Sequence, residues 1–365
     1  MRYYLIAGER SGDLHAANLI HEIKKLDPAS EFRGMAGDYA AREGVELSAH
    51  YKEMALMGFV EVVLGFRKVF KYLNLIKKDL LEFKPDALIL VDFGGFNMRI
   101  AKFAKENNIL VHYYIPPKVW AWNQKRALKL KKYTDRIYTI LPFEQEFFSK
   151  FDMSVHYVGN PLFDEIKKFK PHDFFHQKNQ LNYQPIIALL PGSRKQEVTN
   201  MLSTMMGVIP KFPNAQFVIA GVKNLDGGVY QPALDLGVKI VFDQTYDLLH
   251  HATAAVVTSG TATLETALFR VPQVVVYKTS NISYAIAKRL IKVPYISLVN
   301  LIAEKEVVKE LIQGDMNVDQ VSNELNAILA SIPRKAEILD GYTLVKDRIG
   351  GRNASEETAR LILSK

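Results

Sequence analysis

Four short stretches carry residue types that can do chemistry, and each follows an apolar, β-rich run. In LILVDFGGFNMRI, Asp92 closes such a run, Gly94 and Gly95 follow, and Asn97 is the expected cap of the next helix. An aspartate not needed for capping is a candidate general base, although an Asx-type turn would use it equally well. In IIALLPGSRKQEV, Ser193 and Arg194 stand at a helix entrance, where free amides and a fixed guanidinium suit phosphate oxygens. A surface pairing of Arg194 with a neighbouring carboxylate is the plainer alternative. In VVTSGTATLETAL, Thr261 is expected near the N-cap. The amides of 260–263, with Gly260 and the hydroxyls of Ser259, Thr261 and Thr263, can then hold a diphosphate. Glu265 lies one turn on, and side chains lean toward the helix N-terminus, so its carboxylate can reach back to a ribose; complementing the helix dipole would also explain it. In LIAGERSGDLH, Gly8 and Gly12 allow a tight turn, and Ser11 or Asp13 can cap the helix. The Glu9–Asp13 loop is thus a candidate substrate loop, and a plain capped turn accounts for it as well.

Several chemistries are set aside. None of these loops is the G-x-G-x-x-G of a dinucleotide site or a Walker loop. The HDFFH stretch, His172 to His176, imitates a zinc helix but follows Pro171 and has no evident third ligand. No D-x-D occurs, so a bound diphosphate would rely on amides and Arg194, and neither metal nor cofactor is expected. The absence of cysteine removes disulfides, thiolate metal sites and thiol nucleophiles, and fits a reducing cytoplasmic setting.

The elements that must position these residues follow from periodicity. Apolar runs at 2–7, 87–92, 110–115, 136–141, 186–190, 216–220, 238–242, 254–258 and 272–277 alternate with helical patterns. That alternation predicts an α/β chain of two doubly wound, Rossmann-like domains with parallel sheets facing a cleft. The expected limits are 1–165 for the first domain and 185–345 for the second, with a helix over 346–365 that can pack back on the first domain. The charged, aromatic stretch 163–185 reads as the linker. After residue 300 only helices are expected, at 304–313, 318–331, 334–347 and 355–363.

A net charge of +8 favours anionic partners, and 365 residues hold no apolar run long enough to span a bilayer. Over residues 60–80, Val62, Val63, Phe66, Val69, Phe70, Leu73, Ile76 and Leu80 form a wide apolar stripe bordered by Arg67, Lys68, Lys71, Lys77 and Lys78. Such a stripe suits a helix lying on an anionic leaflet, and equally a core-facing helix with a solvated basic face.

Taken in order, AGERSGD, MALMGFVEV, VWAWNQKR, LPFE, LLPGSR, SGTATLE and YISLVNLIA resemble the lipid-A-disaccharide synthases, a family with two Rossmann-like halves of the GT-B type. The family's usual IDAPDFN is VDFGGFN here, with Asp92 kept and Gly95 in place of a second aspartate; its GHP is GNP at 159–161. The resemblance implies transfer from UDP-2,3-diacylglucosamine to 2,3-diacylglucosamine 1-phosphate, giving a β-1,6 disaccharide and UDP with inversion. It further implies Asp92 as the base and Arg194 with the 259–263 loop as stabilisers of the leaving diphosphate. Glu265 and Asn300 would hold the nucleotide, and the 60–80 stripe would seat the enzyme on the cytoplasmic face of the inner membrane. Homodimerisation is left open. Two other readings remain: a UDP-N-acetylglucosamine 2-epimerase or muramyl-pathway transferase of the same architecture, and a basic nucleic-acid-binding protein, which no recognition motif supports.

Overall fold

A computed structural model describes residues 1–55, 62–223, 225 and 227–364. The chain divides into two compact units, Met1–Pro161 with Gly351–Lys365, and Leu162–Gly350.

Unit 1 is built on seven parallel strands: β1 (Arg2–Ala7), β2 (Glu31–Ala36), β3 (Val45–His50), β4 (Ala87–Val91), β5 (Leu110–Tyr114), β6 (Arg136–Thr139) and β7 (His156–Tyr157), in the order β3-β2-β1-β4-β5-β6-β7. Strand β4 is buried on both faces and β1 is buried from Tyr3 onward, because helices cover both sides of a parallel sheet. The order reverses between β1 and β4, which pair from Tyr3↔Ala87 to Ala7↔Val91. Their carboxyl ends therefore flank the topological switch point, where such sheets bind ligands. Helix α1 (Arg10–Leu26) leaves β1, α2 (Asp38–Arg42) follows β2, α3 (Val62–Phe83) precedes β4, and α4 (Gly94–Glu106) leaves β4. The C-terminal helix Ala354–Leu363 returns to this unit: Ala354, Ala359 and Ile362 share a core with Leu5, Leu19 and Ile89. Arg136 ties it down by donating to the Leu361 and Ser364 carbonyls at 2.7 and 2.8 Å.

Unit 2 holds six parallel strands, β8 (Ile186–Leu190), β9 (Gln216–Gly221), β10 (Lys239–Phe242), β11 (Ala252–Thr258), β12 (Gln273–Tyr277) and β13 (Glu310–Ile312), ordered β10-β9-β8-β11-β12-β13. Here the reversal lies between β8 and β11. Helix α5 (Lys195–Val208) leaves β8, α6 (Thr245–His251) follows β10, and α7 (Thr261–Leu268) leaves β11. Beyond β12 come α8 (Asn281–Leu290) and α9 (Leu298–Ala303).

Several expectations change. Residues 163–185 fold onto unit 2 rather than linking two domains, because Phe175 and Leu181 are buried in the β8–β11 core. The helix expected over 304–313 does not form: residues 304–309 are turn and irregular backbone, and 310–312 are strand β13, which pairs with β12 from Val275↔Glu310 to Tyr277↔Ile312. Leu73 does not face a membrane: with Tyr72, Ile76, Leu80 and Phe83 it is buried along the core-facing side of α3. Asp79 anchors that half, accepting from the Tyr4 and Ser48 hydroxyls and pairing with Arg33 at 2.9 Å. Phe70 is 54% exposed and Val69 partly exposed; the side chains of Val62, Val63 and Phe66 lie outside the described residues. Among the described residues, no helix is long and apolar enough to cross a membrane.

Candidate functional site

Asp92 emerges from β4 in an unusual backbone. Asp92 and Phe93 both take left-handed conformations, with φ of 48° and 50°. Neither is glycine, and strain of this kind persists only where surrounding contacts impose it. Those contacts are identifiable. The Asp92 amide donates to the Tyr114 carbonyl at 3.1 Å. Its carbonyl accepts from the Tyr113 hydroxyl and the Asn97 amide, each at 2.8 Å. The first prolyl loop behind β5 closes on the same turn, since a Cβ at Gly94 would lie 2.6 Å from Pro117. With its backbone so fixed, the partly buried Asp92 carboxylate is held above the ordinary aspartate range by burial, opposed by the Lys118 charge and the Phe93 amide. A desolvated carboxylate near a cation is a competent proton acceptor.

The β1–α1 loop lies alongside. A Cβ at Gly8 would sit 2.3 Å from the Phe93 ring, so glycine is what lets that ring pack; a Cβ at Gly12 would be 4.0 Å from that of Asp92. Glu9 is the N-cap position of α1 but makes no side-chain cap bond, and Glu9 and Ser11 are exposed. Two capping expectations fail here. Asp13 does not cap its own helix: fully buried, it accepts from the amides of Gly37, Tyr39 and Ala40 at 2.8, 3.0 and 3.2 Å, and so caps α2. Asn97 is not an N-cap either, since α4 begins at Gly94 and Asn97 turns back from its first turn to the Asp92 carbonyl.

Glu144, carried by the LPFE stretch, is a residue that the sequence reading did not select. Its buried carboxylate accepts from the Trp120 indole at 3.0 Å and from the Ile140 and Leu141 amides at 3.1 and 2.9 Å. Burial pushes it up to about 7, against those three bonds and the Lys118 charge. The clasp fastens the 115–120 loop, with Lys118 on it, to the end of β6. Asn160, the departure in GNP, is buried and donates to the Ile140 carbonyl at 3.2 Å. Gly95, the other departure, is exposed, and a Cβ there would meet nothing within 4 Å.

In unit 2 the two loops at the switch point differ. After β8, the Ser193 and Arg194 amides both donate to Glu197 at 3.0 and 3.2 Å, a capping box that consumes part of the anion-binding capacity expected of the loop. The exposed Arg194 guanidinium rests 3.2 Å from Glu197, a surface pair that leaves most of its donors in water. After β11, Gly260 rather than Thr261 is the N-cap, and it has no side chain to occupy the first-turn amides. Thr261 is exposed, whereas Thr263 is fully buried and donates to the Gly260 carbonyl at 2.8 Å. The Ser259 hydroxyl is likewise engaged, with the Ile296 carbonyl at 2.8 Å. Of the expected hydroxyl donors, then, only Thr261 points outward. Glu265 accepts from the Tyr246 hydroxyl at 3.1 Å, and burial raises its carboxyl above the usual range.

Asn300 is not available to a nucleotide. It is fully buried, accepts from the Val307 and Val308 amides at 2.8 and 3.0 Å, and donates to the Val308 carbonyl and Glu310 at 2.8 and 2.9 Å. Glu310 also takes the Ile296 amide and both the amide and hydroxyl of Ser297. Together they hold the segment to which Ser259 is bonded. His172 meets the Phe174 ring, and His176 belongs to a separate aromatic cluster, 5.0 Å from His251 between ring centroids. Among the described residues no acidic or histidine group is arranged to hold a metal.

Two parallel sheets, each with glycine-containing loops at its switch point, define an α/β chain of the class shared by GT-B glycosyltransferases and sugar-nucleotide epimerases. Solved structures bear out that fold. UDP-GlcNAc 2-epimerase from Neisseria meningitidis bound to UDP-GlcNAc superposes with a TM-score of 0.71 at 15% identity over 100% of both chains. CalG4, the calicheamicin glycosyltransferase, gives 0.62 at 14% identity over 99% of this chain and 96% of that one. Sequence narrows the class further. The family LpxB, lipid-A-disaccharide synthetase, matches residues 3–360, and the chain belongs to it. It is 37% identical to the lipid-A-disaccharide synthase of Syntrophus aciditrophicus over 99% of this chain and 96% of that protein. The corresponding figures for the Geobacter sulfurreducens synthase are 34%, 99% and 96%. The chain is accordingly a glycosyltransferase of lipid A synthesis.

Proposed function

We propose that the chain transfers 2,3-diacylglucosamine from UDP-2,3-diacylglucosamine to the 6-hydroxyl of 2,3-diacylglucosamine 1-phosphate by a single inverting displacement that needs no metal. The observation that carries the reading is the Asp92 turn, a desolvated carboxylate held in a strained backbone at the switch point of unit 1. Asp92 takes the proton of the acceptor hydroxyl as that oxygen bonds to the anomeric carbon; the bond from this carbon to the UDP oxygen breaks, and UDP leaves with the electron pair. The first-turn amides of α7, the Thr261 hydroxyl and Arg194 stabilise the charge developing on the departing diphosphate. Glu265 accepts from the ribose, with Tyr246 fixing its carboxylate. Ser259, Asn300 and Glu310 act one step back, as the frame of that loop. Glu9, Ser11 and Gly12 border the acceptor. The exposed part of α3 around Phe70, with its basic neighbours, meets the anionic cytoplasmic leaflet where acylated acceptor resides.

Incubation of the chain with both acylated substrates, with and without a chelator, tests the reading. A disaccharide phosphate formed equally in both arms is expected. Equal use of unacylated UDP-N-acetylglucosamine as donor would overturn the substrate assignment, and chelator-sensitive turnover would overturn the metal-free step.

A further inference from the structure

Helix α8 of unit 2 has a surface that the donor loops do not use. Ser280 caps it, accepting from the Ser283 amide at 3.2 Å, and none of its described residues is buried. It nevertheless carries apolar side chains in water: Ile282 is 77% exposed, and Leu290 and the following Ile291 are exposed too. Exposed aliphatic side chains on a helix with no buried face among its described residues suit a contact surface. The charge along this stretch of chain has one sign. Between Glu265 and Glu304 the chain contains no acidic residue, while Arg270, Lys278, Lys288, Arg289 and Lys292 all fall there. Lys288, Arg289 and Lys292 are exposed, and none forms an ion pair among the described residues.

We propose that α8 with residues 291–292 is a membrane-docking surface of unit 2, Ile282, Leu290 and Ile291 entering the acyl boundary of an anionic leaflet while Lys288, Arg289 and Lys292 engage its headgroups. Unpaired cations beside exposed aliphatic side chains, in a stretch of chain without an acidic residue, complement phosphate headgroups above hydrocarbon. The segment runs into Ile296, whose carbonyl takes the Ser259 hydroxyl, so docking would anchor the chain a few residues from the donor loop. The use of such an anchor rests on the acylated substrates proposed above; the surface itself does not.

Sedimentation of the full chain with phosphatidylglycerol–phosphatidylcholine vesicles, against phosphatidylcholine alone, reads the docking directly. The triple change Ile282→Ser, Leu290→Ser, Ile291→Ser is expected to weaken anionic-vesicle binding about tenfold or more. Lys288→Gln, Arg289→Gln, Lys292→Gln is expected to weaken it roughly a hundredfold. Both variants should keep the parental melting temperature, because these side chains are already exposed, and parental turnover on detergent-dispersed substrates. Unchanged vesicle affinity in both variants, or equal affinity for the two lipid compositions in the parent, would overturn the proposal. So would lost turnover in detergent with vesicle binding intact, which would make α8 a seat for substrate acyl chains. Absence of turnover by the parent would sink the reaction instead, with the vesicle comparison still deciding the role of α8.

Discussion

Replacing Asn300 by alanine separates a structural role from a nucleotide-binding one. In the parent, one side chain satisfies two buried amides, Val307 and Val308, and donates to the Val308 carbonyl and Glu310. Alanine strands both amides, and each buried unsatisfied donor costs about 1–3 kcal/mol, so about 4 kcal/mol is expected in all. For a unit of the size of Leu162–Gly350 that loss corresponds to a melting temperature about 8–16 °C lower. Calorimetric unfolding measures the shift, and titration of UDP into the folded variant at low temperature measures affinity, which should stay within about threefold of the parent. Asn300→Asp should fall nearly as far, because it loses the donors and sets a second carboxylate beside Glu310. A parental melting temperature together with a tenfold rise in the UDP dissociation constant would refute the buried-network account and restore Asn300 to the nucleotide.

Asp92→Asn should lower kcat by about 10²–10⁴-fold while UDP titration shows unchanged affinity; parental turnover would remove Asp92 as the base. Lys118→Met takes away the charge that favours ionised Asp92, so the carboxyl rises further and the acidic limb of kcat/KM moves to higher pH. An unmoved limb in the pH–rate profile would separate Lys118 from the site. Glu144, pushed up to about 7 from an ordinary 4.5, binds its proton more tightly in the folded chain. Its contribution to stability is therefore fully present below about pH 4.5 and is lost as pH rises through about 7. Glu144→Gln should flatten that part of the stability curve, so denaturant midpoints of variant and parent should converge or cross between these limits; parallel curves would count against the assignment.

The legible part of this molecule was whatever depends on strands buried on both faces. Continuous apolar runs such as ALILV and IIALL have one physical explanation, and the loops after them fall at the carboxyl ends where ligands bind. Strands β2 and β3 escaped because EFRGMA and VELSAH mix polar residues and glycine into their runs, as strands toward a sheet edge can. Strand β13 escaped because three residues are too few to show a period. Hydroxyls and amides were overread for a related reason. Composition shows that Ser259 and Thr263 can donate, and the family resemblance implied a nucleotide role for Asn300, but each donates to a backbone carbonyl, of Ile296, Gly260 and Val308 respectively. Asp13 and Leu73 failed likewise, each committed to a neighbour distant in sequence, the α2 amides and the sheet beneath α3. Glu144 had no local signal; only the approach of Trp120 and the end of β6 makes its carboxylate distinctive.

The contact between Gly8 and the Phe93 ring also constrains how this site can diverge. A side chain at position 8 would occupy the volume of that ring, so position 8 is not free to vary while position 93 keeps its aromatic side chain. The two loops at the β1–β4 switch point therefore share one substitution history: a lineage that reshapes the glycine turn must first, or simultaneously, give up the aromatic ring beside the base.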